Sequence, residues 1–274
     1  MMMNTKVKIQ SNDTAFVHAQ HKSNPVVKFK NIEKSFVVNG KKLKVIEDFS
    51  LDIQQGEFVA IVGSSGCGKS TLLRLLSGLD SDFNGEIEID GQPIQGIGND
   101  RAVVFQEHRL FPWLTVEQNI ELGLINEKIS HTVKTQRIEK AITLIGLEGF
   151  EKAYPHQLSG GMSQRVAIAR SLVTQPRIFL LDEPFGALDA LTRHQMQSEL
   201  LRIQSQEKIT TVFITHDVEE AVTLADRIVI LKPKPGRIEK VIDVNLPRPR
   251  NRASFELHQL KEQVFSVLTE DKIL

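Results

Sequence analysis

The chain has 274 residues, 41% of them hydrophobic and 25% charged, which is ordinary for a globular protein of one large or two smaller domains. Its 34 basic and 34 acidic residues cancel to a formal net charge of zero, so the overall charge does not indicate a nucleic-acid partner. No apolar run approaches the roughly 18 residues that a membrane-spanning helix needs. Residues 1–24 are polar and lack a secretory core, and we expect a flexible leader there.

The first predicted element is a β-hairpin. Apolar residues alternate with polar ones in two runs, residues 26–38 and 43–53, and Asn39-Gly40 between them is a strong turn sequence. Phe36 lies near the end of the first strand, where its ring could stack on an adenine or pack within the hairpin, and its position leaves both open. Residues 85–91 predict a further strand and turn, so we expect an antiparallel layer.

A phosphate-binding loop follows the hairpin. The apolar strand 58–62 runs into the pattern G-x-x-x-x-G-K-[ST], and leucines at helical spacing follow it. The loop N–H groups and the helix N-terminus attract an anion, Lys69 adds a full positive charge, and the Ser70 hydroxyl is placed to bind Mg²⁺. We predict that the nucleotide phosphates are bound by Gly63, Ser64, Ser65, Gly66, Cys67, Gly68, Lys69, Ser70 and Thr71.

Cys67 is the only cysteine, so an intrachain disulfide is impossible, and a lone thiol is typical of a reducing cytosol. Its place in the phosphate loop allows two interpretations. It could be a redox switch, or simply a small residue that fits the loop, and the pattern favours the second.

Three further apolar strands are predicted to end at polar side chains. These are Gln106 after residues 102–105, Asp182 and Glu183 after residues 178–181, and His216 after residues 211–215. Strands that alternate with helices indicate a parallel sheet covered on both faces. Ligands of such sheets bind at the carboxyl ends of the strands, so we expect these side chains to meet the phosphate loop. Beside that loop, Asp182 is the expected partner of Mg²⁺.

The part of the chain between these strands is predicted to be largely helical. Apolar residues recur at helical spacing over residues 115–149, and Ser159 is a predicted N-cap with Gly160 and Gly161 in the first turn of the next helix. That helix N-terminus could meet an anion. The preceding loop, residues 109–114, holds Trp113 and other large apolar residues around a proline. It could dock a partner or be buried against its own domain.

The end of the chain has two features. Residues 246–252 are rich in arginine and proline, and we expect a solvated linker there. Apolar residues at helical spacing follow from Phe255, and we expect this C-terminal helix to pack on the core.

These motifs together resemble the ATP-binding subunits of ABC transporters over about residues 26–250. The phosphate loop corresponds to Walker A, and Asp182 and Glu183 end Walker B. The other matches are Phe36 for the adenine-stacking aromatic residue, Gln106 for the Q-loop, Ser159, Gly160, Gly161 and Gln164 for the signature, Asp189 for the D-loop and His216 for the switch histidine. Met162-Ser163 departs from the commoner signature but leaves its serine and glycines intact.

The resemblance implies an α/β fold of the P-loop NTPase class, in its ABC ATPase form. We expect a parallel core sheet, an antiparallel β subdomain and a helical subdomain at about residues 107–175, within an ATPase domain spanning residues 26–250. A C-terminal helix is expected within residues 251–274.

The resemblance also implies ATP and Mg²⁺ as cofactors and a head-to-tail homodimer in the ATP state. Mg²⁺ would be organised by Ser70, Gln106 and Asp182. Lys69 would hold phosphate, Glu183 would polarise the attacking water, and His216 would contact the γ-phosphate. The signature residues would act in trans on the nucleotide of the partner subunit.

More narrowly, residues 106–116, 185–193 and 244–250 resemble the nitrate, sulfonate and taurine importer subfamily, and the last segment most resembles the aliphatic-sulfonate subunits. This implies a peripheral subunit on the cytoplasmic face of the cell (inner) membrane, bound to integral membrane permease subunits. Indirectly, it would serve a periplasmic or extracellular solute-binding protein. Taurine, nitrate or another small anion are alternative cargoes.

Other classes explain the motifs less well. A soluble ABC ATPase of DNA repair or chromosome structure would insert a long coiled coil between Walker A and the signature, where we find no heptads. A small-molecule kinase explains neither the signature nor His216. An ATP-binding scaffold without turnover would not need Glu183 and His216.

Overall fold

The computed structural model describes residues 25–186 and 188–269. The predicted leader and residues 270–274 of the C-terminal segment lie outside the described residues. The strands are β1 (Val27–Val38), β2 (Lys41–Ile53), β3 (Phe58–Val62), β4 (Asn84–Ile89), β5 (Gln92–Pro93), β6 (Arg101–Val104), β7 (Ile178–Asp182), β8 (Thr210–Thr215), β9 (Arg227–Lys232) and β10 (Arg237–Asp243). The helices are α1 (Lys69–Ser77), α2 (Val116–Glu121), α3 (His131–Leu144), α4 (Gly160–Leu172), α5 (Ala190–Glu207), α6 (Val218–Leu224) and α7 (Phe255–Thr269).

The first sheet is the predicted antiparallel layer, with strand order β2-β1-β4-β5. Its hairpin turns at Asn39-Gly40, where both residues have positive φ (51° and 73°) and Val38 pairs with Lys41. Such a two-residue turn matches the twist of the strands that it joins. On the inner face, the rings of Phe29 and Phe49 meet edge to face at 5.2 Å.

The second sheet has the order β10-β9-β3-β8-β7-β6, and the five strands from β9 to β6 are parallel. Every residue of β3 is buried, because both faces of the sheet are covered. Phe58, Ala60 and Val62 face the core that includes α5 and α6. Val59 and Ile61 face α1 and the antiparallel layer. The α/β fold class predicted from the sequence is confirmed.

The helical layer packs around its own apolar cluster, formed by α2, α3 and α4. The helical pattern predicted over residues 115–149 is interrupted here. A 3-10 turn at residues 122–124 follows α2, and α3 begins only after the N-cap Ser130. Gly123 passes so close to α4 that a Cβ there would overlap the carbonyl of Arg170. The periodicity could not reveal this break, because apolar residues continue across it.

Three elements lacked a signal strong enough for a sequence-based prediction. β10 is an edge strand with one buried residue, Ile242, so it shows no apolar alternation. Helices α5 and α6 are rich in polar residues, and several of these are buried, among them Gln197 and Glu220. None of the helices in the described residues is long and apolar enough to cross a bilayer.

The prediction of a solvated linker at residues 246–252 is wrong. The Arg250 guanidinium lies at the end of α6 and donates to the carbonyls of Val222 (2.9 Å), Thr223 (3.2 Å) and Ala225 (2.6 Å). These contacts use carbonyls that a helix end leaves without partners, and a cation is favoured there. Burial and the neighbouring Arg248 lower the pKa of Arg250 to about 10. The segment therefore clamps α6 before α7 packs on the core through Leu257 and Val264.

Candidate nucleotide-binding site

The predicted polar side chains meet at one edge of the central sheet. The strands β3, β8, β7 and β6 are neighbours, in that order, and each is followed by one of the predicted groups. The phosphate loop follows β3, His216 follows β8, Asp182 ends β7, and Gln106 lies two residues beyond the end of β6. Parallel strands place their carboxyl ends at the same edge, so sequence-distant groups converge there.

The phosphate loop has the backbone of an anion site. Gly66 and Gly68 have φ values of 79° and 96°, which a side chain would make costly. No side chain caps the N-terminus of α1, so its N–H groups face outward from the helix end. Lys69 is almost fully buried, and its Nζ donates to the carbonyl of Gly63 at 2.8 Å and that of Ser64 at 3.2 Å. The arrangement suits the phosphates of a nucleotide.

The loop is supported from behind by close backbone packing. The thiol of Cys67 is buried, and a Cβ on Gly63 would lie 2.6 Å from its sulfur. Burial raises the pKa of Cys67, which keeps the thiol protonated and favours its interpretation as a small packing residue. Gly236, in the turn before β10, lies against the Cys67 carbonyl, and its own N–H donates to Val45 O at 2.8 Å.

Ser70 and Asp182 form a hydrogen-bonded pair of oxygen-bearing side chains. The Ser70 hydroxyl donates to Asp182 Oδ1 at 3.2 Å. Burial raises the pKa of Asp182 and the neighbouring Glu183 raises it further, while the Ser70 hydrogen bond opposes them. A half-buried carboxylate beside a hydroxyl fits a hard divalent cation, which would offset the cost of partly burying that charge. Within residues 25–186 and 188–269, no three His, Cys, Asp or Glu side chains group to hold a metal alone.

Glu183 and His216 contact each other directly. His216 Nδ1 lies 2.9 Å from Glu183 Oε2. Glu183 has a φ of 46°, an uncommon conformation for a residue with a side chain, and its N–H donates to Ile214 O of the next strand at 2.9 Å. The turn thereby directs the carboxylate toward the end of β8. Gln106 lies beside the same turn, because a Cβ on Gly186 would be 3.0 Å from its Nε2.

The predicted signature residues lie at the N-terminus of α4. Ser159 is its N-cap and accepts from the N–H of Met162 at 3.2 Å, and the surface around Gly160 is open. Gly161 packs so tightly against Thr192 of α5 that a Cβ would overlap it. Gln164 is buried, so a direct contact with an opposing subunit would require its side chain to move.

Asp189 is the N-cap of α5. Its Oδ1 accepts from the N–H groups of Leu191 and Thr192, both at 3.1 Å. Hydrogen bonds from Thr192 lower the pKa of the Asp189 carboxyl, so the cap stays ionised at neutral pH. The helix that begins here is the one that packs against Gly161, which joins the D-loop to the signature.

Phe36 is 39% exposed rather than packed inside the hairpin. The ammonium of Lys34 lies 4.7 Å from its ring centroid, a cation–π distance. Lys34 is only 3% exposed, and it is paired with Asp80 at 2.9 Å. The Phe36 ring is thus contacted by Lys34 and still has surface exposed to solvent.

The loop that contains Trp113 is exposed, so the interpretation of it as a buried loop is wrong. Trp113 is 69% exposed and its ring lies 5.5 Å from that of Phe111. The buried Asn119 holds the loop, because its side chain accepts from Phe111 N (2.9 Å) and donates to Phe111 O (3.2 Å) and Leu114 O (3.0 Å). The sequence alone does not predict this role of Asn119. The available signal was its place beside the apolar Ile120 in a predicted helix, where a buried amide needs hydrogen-bond partners.

The chain is similar in sequence to known proteins. A family model described as ABC transporter matches residues 46–186. An aliphatic sulfonates import ATP-binding protein of Bacillus subtilis is 49% identical over 243 residues, 87% of this chain and 93% of that protein. A bicarbonate transport ATP-binding protein of Synechococcus elongatus is 46% identical over 90% of this chain, but this match covers 38% of that protein.

A solved structure is also similar. It is a dimeric ATP-binding cassette in a post-hydrolysis state, bound to ADP and Pi. It is 34% identical to this chain, with a TM-score of 0.71, and the match covers 81% of this chain and 100% of the other.

Proposed function

Since the chain belongs to the ABC transporter family as an ATP-hydrolysing, ATP-binding subunit, we propose that it energises the import of an aliphatic sulfonate. The similarity to the sulfonate protein of B. subtilis supports this cargo. The bicarbonate protein is nearly as similar in sequence, and taurine or nitrate are further alternatives. The cargo would be bound by other subunits, so a transport assay has to decide among these anions.

One observation carries the proposed chemistry. The phosphate loop, the Ser70–Asp182 pair and the Glu183–His216 pair follow three adjacent parallel strands. Lys69 would exchange its contacts with the Gly63 and Ser64 carbonyls for contacts with the β- and γ-phosphates. Phe36, with its exposed ring surface, would stack on the adenine. Binding in this way places the γ-phosphate near the ends of β7 and β8.

Ser70, Asp182 and Gln106 would hold Mg²⁺ together with the phosphate oxygens. When bound, the ion supplies positive charge that offsets the charge of the transferring phosphoryl group. Asp182 would bind as the carboxylate, Ser70 through its hydroxyl oxygen, and Gln106 from the loop beyond β6.

Glu183 would orient the attacking water, with its carboxylate accepting a proton of that water. His216 would then leave its contact with Glu183 to donate to the γ-phosphate. Positioning and electrostatic stabilisation of this kind supply most of the acceleration in phosphoryl transfer. The turn at Glu183, which has a positive φ, would keep the carboxylate in place, because the Glu183 backbone N–H donates to the Ile214 carbonyl.

Two copies of the chain would close head to tail around two ATP molecules. Ser159, Gly160 and Gly161 begin α4 with an open surface at Gly160, and the helix N-terminus would face the γ-phosphate bound by the partner subunit. The dimeric cassette with ADP and Pi supports this assembly. Hydrolysis followed by loss of the cleaved phosphate would remove the group that joins the two subunits, and so loosen the dimer.

The subunit would act from the cytoplasmic face of the cell membrane, bound to permease subunits. The exposed rings of Phe111 and Trp113 form the surface that we propose for this contact, because large aromatic residues are enriched at interfaces. A groove of about 340 Å³ lies beside them, lined by Phe105, Arg109, Leu122 and Arg170 among others. Arg170 stiffens the groove by donating to the carbonyls of His108 and Arg109, both at 2.9 Å. A solute-binding protein would deliver the cargo to the permease.

The first experiment compares wild type with Glu183→Gln in ATP hydrolysis, while the mass of the protein is followed in Mg-ATP. We expect the wild type to turn over, and the variant to bind ATP and accumulate as a dimer. If the variant hydrolyses ATP as fast as wild type, the role of Glu183 is wrong. Reconstitution with the permease and solute-binding protein, followed by uptake of an alkanesulfonate against bicarbonate, tests the cargo.

A further inference from the structure

A chain of four hydrogen bonds, buried in its middle and partly buried at its ends, runs from the segment after β10 to the backbone beside His216. Its links are Arg252 Nη2 to Gln197 Oε1, Gln197 Nε2 to Glu220 Oε1 (3.3 Å), Thr215 Oγ1 to Glu220 Oε2 (2.6 Å) and Asp217 N–H to Thr215 Oγ1 (3.0 Å). No step of the proposed chemistry uses Gln197 or Glu220. Both are nevertheless buried, at 2% and 6% exposed.

The direction of the chain is set at both ends. Arg252 can only donate, and the Glu220 carboxylate, when ionised, can only accept. Gln197, between them, must therefore turn its oxygen to Arg252 and its amide nitrogen to Glu220. Burial makes each of these bonds stronger than it would be in water, and makes an unpaired group costly.

The chain ends on the two residues that flank His216. Thr215 is the last residue of β8, and Asp217 is the N-cap of α6. The Thr215 hydroxyl joins them, since it accepts from the Asp217 N–H and donates to Glu220. Through the Thr215 hydroxyl, the Glu220 carboxylate, in the first turn of α6, thus fixes the backbone on either side of His216. Burial raises the pKa of the Glu220 carboxyl and the charge of Asp217 raises it further, whereas the Thr215 hydrogen bond and the charges of Arg193 and His216 act to lower it.

We propose that Glu220 is a positioning residue for ATP hydrolysis, which holds the His216 turn in register with Glu183. Gln197 and Arg252 complete this role by orienting the carboxylate. Arg252 is also paired with Glu219 at 3.3 Å, and Glu219 with Lys261 of α7 at 3.1 Å, so the C-terminal helix is connected to the turn. This inference rests on the role proposed for His216.

The test reverses one link and then restores it. Glu220→Gln either sets two amide N–H₂ groups against each other or removes the acceptor of the Thr215 hydroxyl. Adding Gln197→Glu restores a donor and an acceptor at every link, since the carboxylate then stands beside Arg252. We expect Glu220→Gln to lower kcat about tenfold with KM within about twofold, because small misplacements of catalytic groups are costly. The double variant should recover kcat to within about twofold of wild type.

The controls separate positioning from stability. Glu199 lies in α5, the helix of Gln197, and its carboxylate pairs with Arg202. Glu199→Gln removes this carboxylate and should leave kcat unchanged. Thermal unfolding of each variant shows whether it is folded, and Thr215→Val tests the same link at nearly constant volume. Wild-type kcat in folded Glu220→Gln, or a double variant no better than the single one, would overturn the inference. If His216→Ala also keeps full kcat, the proposed role of His216 fails instead.

Discussion

His216 Nδ1 lies 2.9 Å from Glu183 Oε2, so the two groups that we assign to the chemistry are each other's partners. The carboxylate approaches the ring from a turn with positive φ at the end of β7, and the ring follows β8. Loss of this contact would free both side chains for the contacts that we propose with water and phosphate.

The first prediction concerns this pair. His216→Ala would remove the contact that we propose with the γ-phosphate in the transition state, so we expect kcat to fall about 10²-fold while ATP binding changes little. Single-turnover hydrolysis and nucleotide titration measure the two effects separately. His194→Ala, an exchange at another position outside the site, serves as the control and should retain wild-type kcat.

The second prediction concerns the Ser70–Asp182 pair. Ser70→Ala would remove one of the proposed oxygen ligands, so the Mg²⁺ concentration for half-maximal hydrolysis should rise about 10- to 100-fold. A Mg²⁺ titration at saturating ATP measures this shift. Equal Mg²⁺ dependence in the variant and wild type would show that the hydroxyl does not bind the ion.

The third prediction concerns the exposed loop. Trp113→Ala should reduce permease-coupled transport at least about tenfold, the cost typical of an aromatic hot spot. ATP binding by the isolated subunit should stay near that of wild type, because the ring is exposed and distant in sequence from the phosphate loop. Ile97→Ala, at another exposed apolar residue, is the control. Equal loss of ATP binding and transport would contradict a role of Trp113 that is confined to the permease contact.

The fourth prediction concerns the arginine clamp on α6. Lysine cannot supply the forked donors of Arg250, so Arg250→Lys should lower the free energy of unfolding by about 1–3 kcal/mol. Arg177→Lys is the matched control, because Arg177 is half exposed and forms an ion pair with Asp90. Its loss should be below about 0.5 kcal/mol. Denaturant unfolding of the three proteins measures both values, and equal losses would contradict the clamp.

The fifth prediction concerns pH. Burial acts to raise the pKa of Asp80, but hydrogen bonds from Lys34 and the Asp82 N–H outweigh it and lower the pKa. The stabilisation is therefore present above the unfolded pKa of about 3.9 and is lost as pH falls through the lower folded pKa. Asp80→Asn should cost about 1–3 kcal/mol at pH 7, and this difference should vanish at low pH.

Its control is Asp82→Asn. Asp82 is almost fully exposed, so the loss of its carboxylate should have little effect at either pH. Unfolding free energies of wild type and both variants, measured across the acid range, test the sign. A difference for Asp80→Asn that grows toward low pH would contradict it.

The sequence predicted those features that depend on local pattern. A glycine-rich loop between an apolar strand and a helix, and polar residues at the ends of apolar strands, follow from periodicity and from the geometry of parallel sheets. Gln106, Asp182 and His216 could therefore be placed at one edge before the strand order was known. The Asn39-Gly40 turn was predictable for the same reason.

Features that depend on which surfaces meet could not be predicted. Arg250 has the sequence context of a solvated turn, and only the position of the α6 C-terminus gives its guanidinium carbonyl partners. Glu220 lies in a polar stretch whose burial depends on the packing of α5. Likewise, Gly123 ends the first helical segment through its approach to α4. Each of these partners is distant in sequence, so no local periodicity marks it.

Gly236, in the turn before the edge strand β10, packs against both β2 and the phosphate loop. Its backbone joins β2 through Val45 and Glu47, and a side chain there would press on the carbonyl of Cys67 inside the phosphate loop. The turn before β10 therefore packs directly behind the phosphate loop. We expect the residue types on the exposed face of β10 to vary among related sequences, and glycine to be retained at position 236. Substitution of Gly236 could thus change the affinity for ATP without altering any residue that we expect to touch ATP.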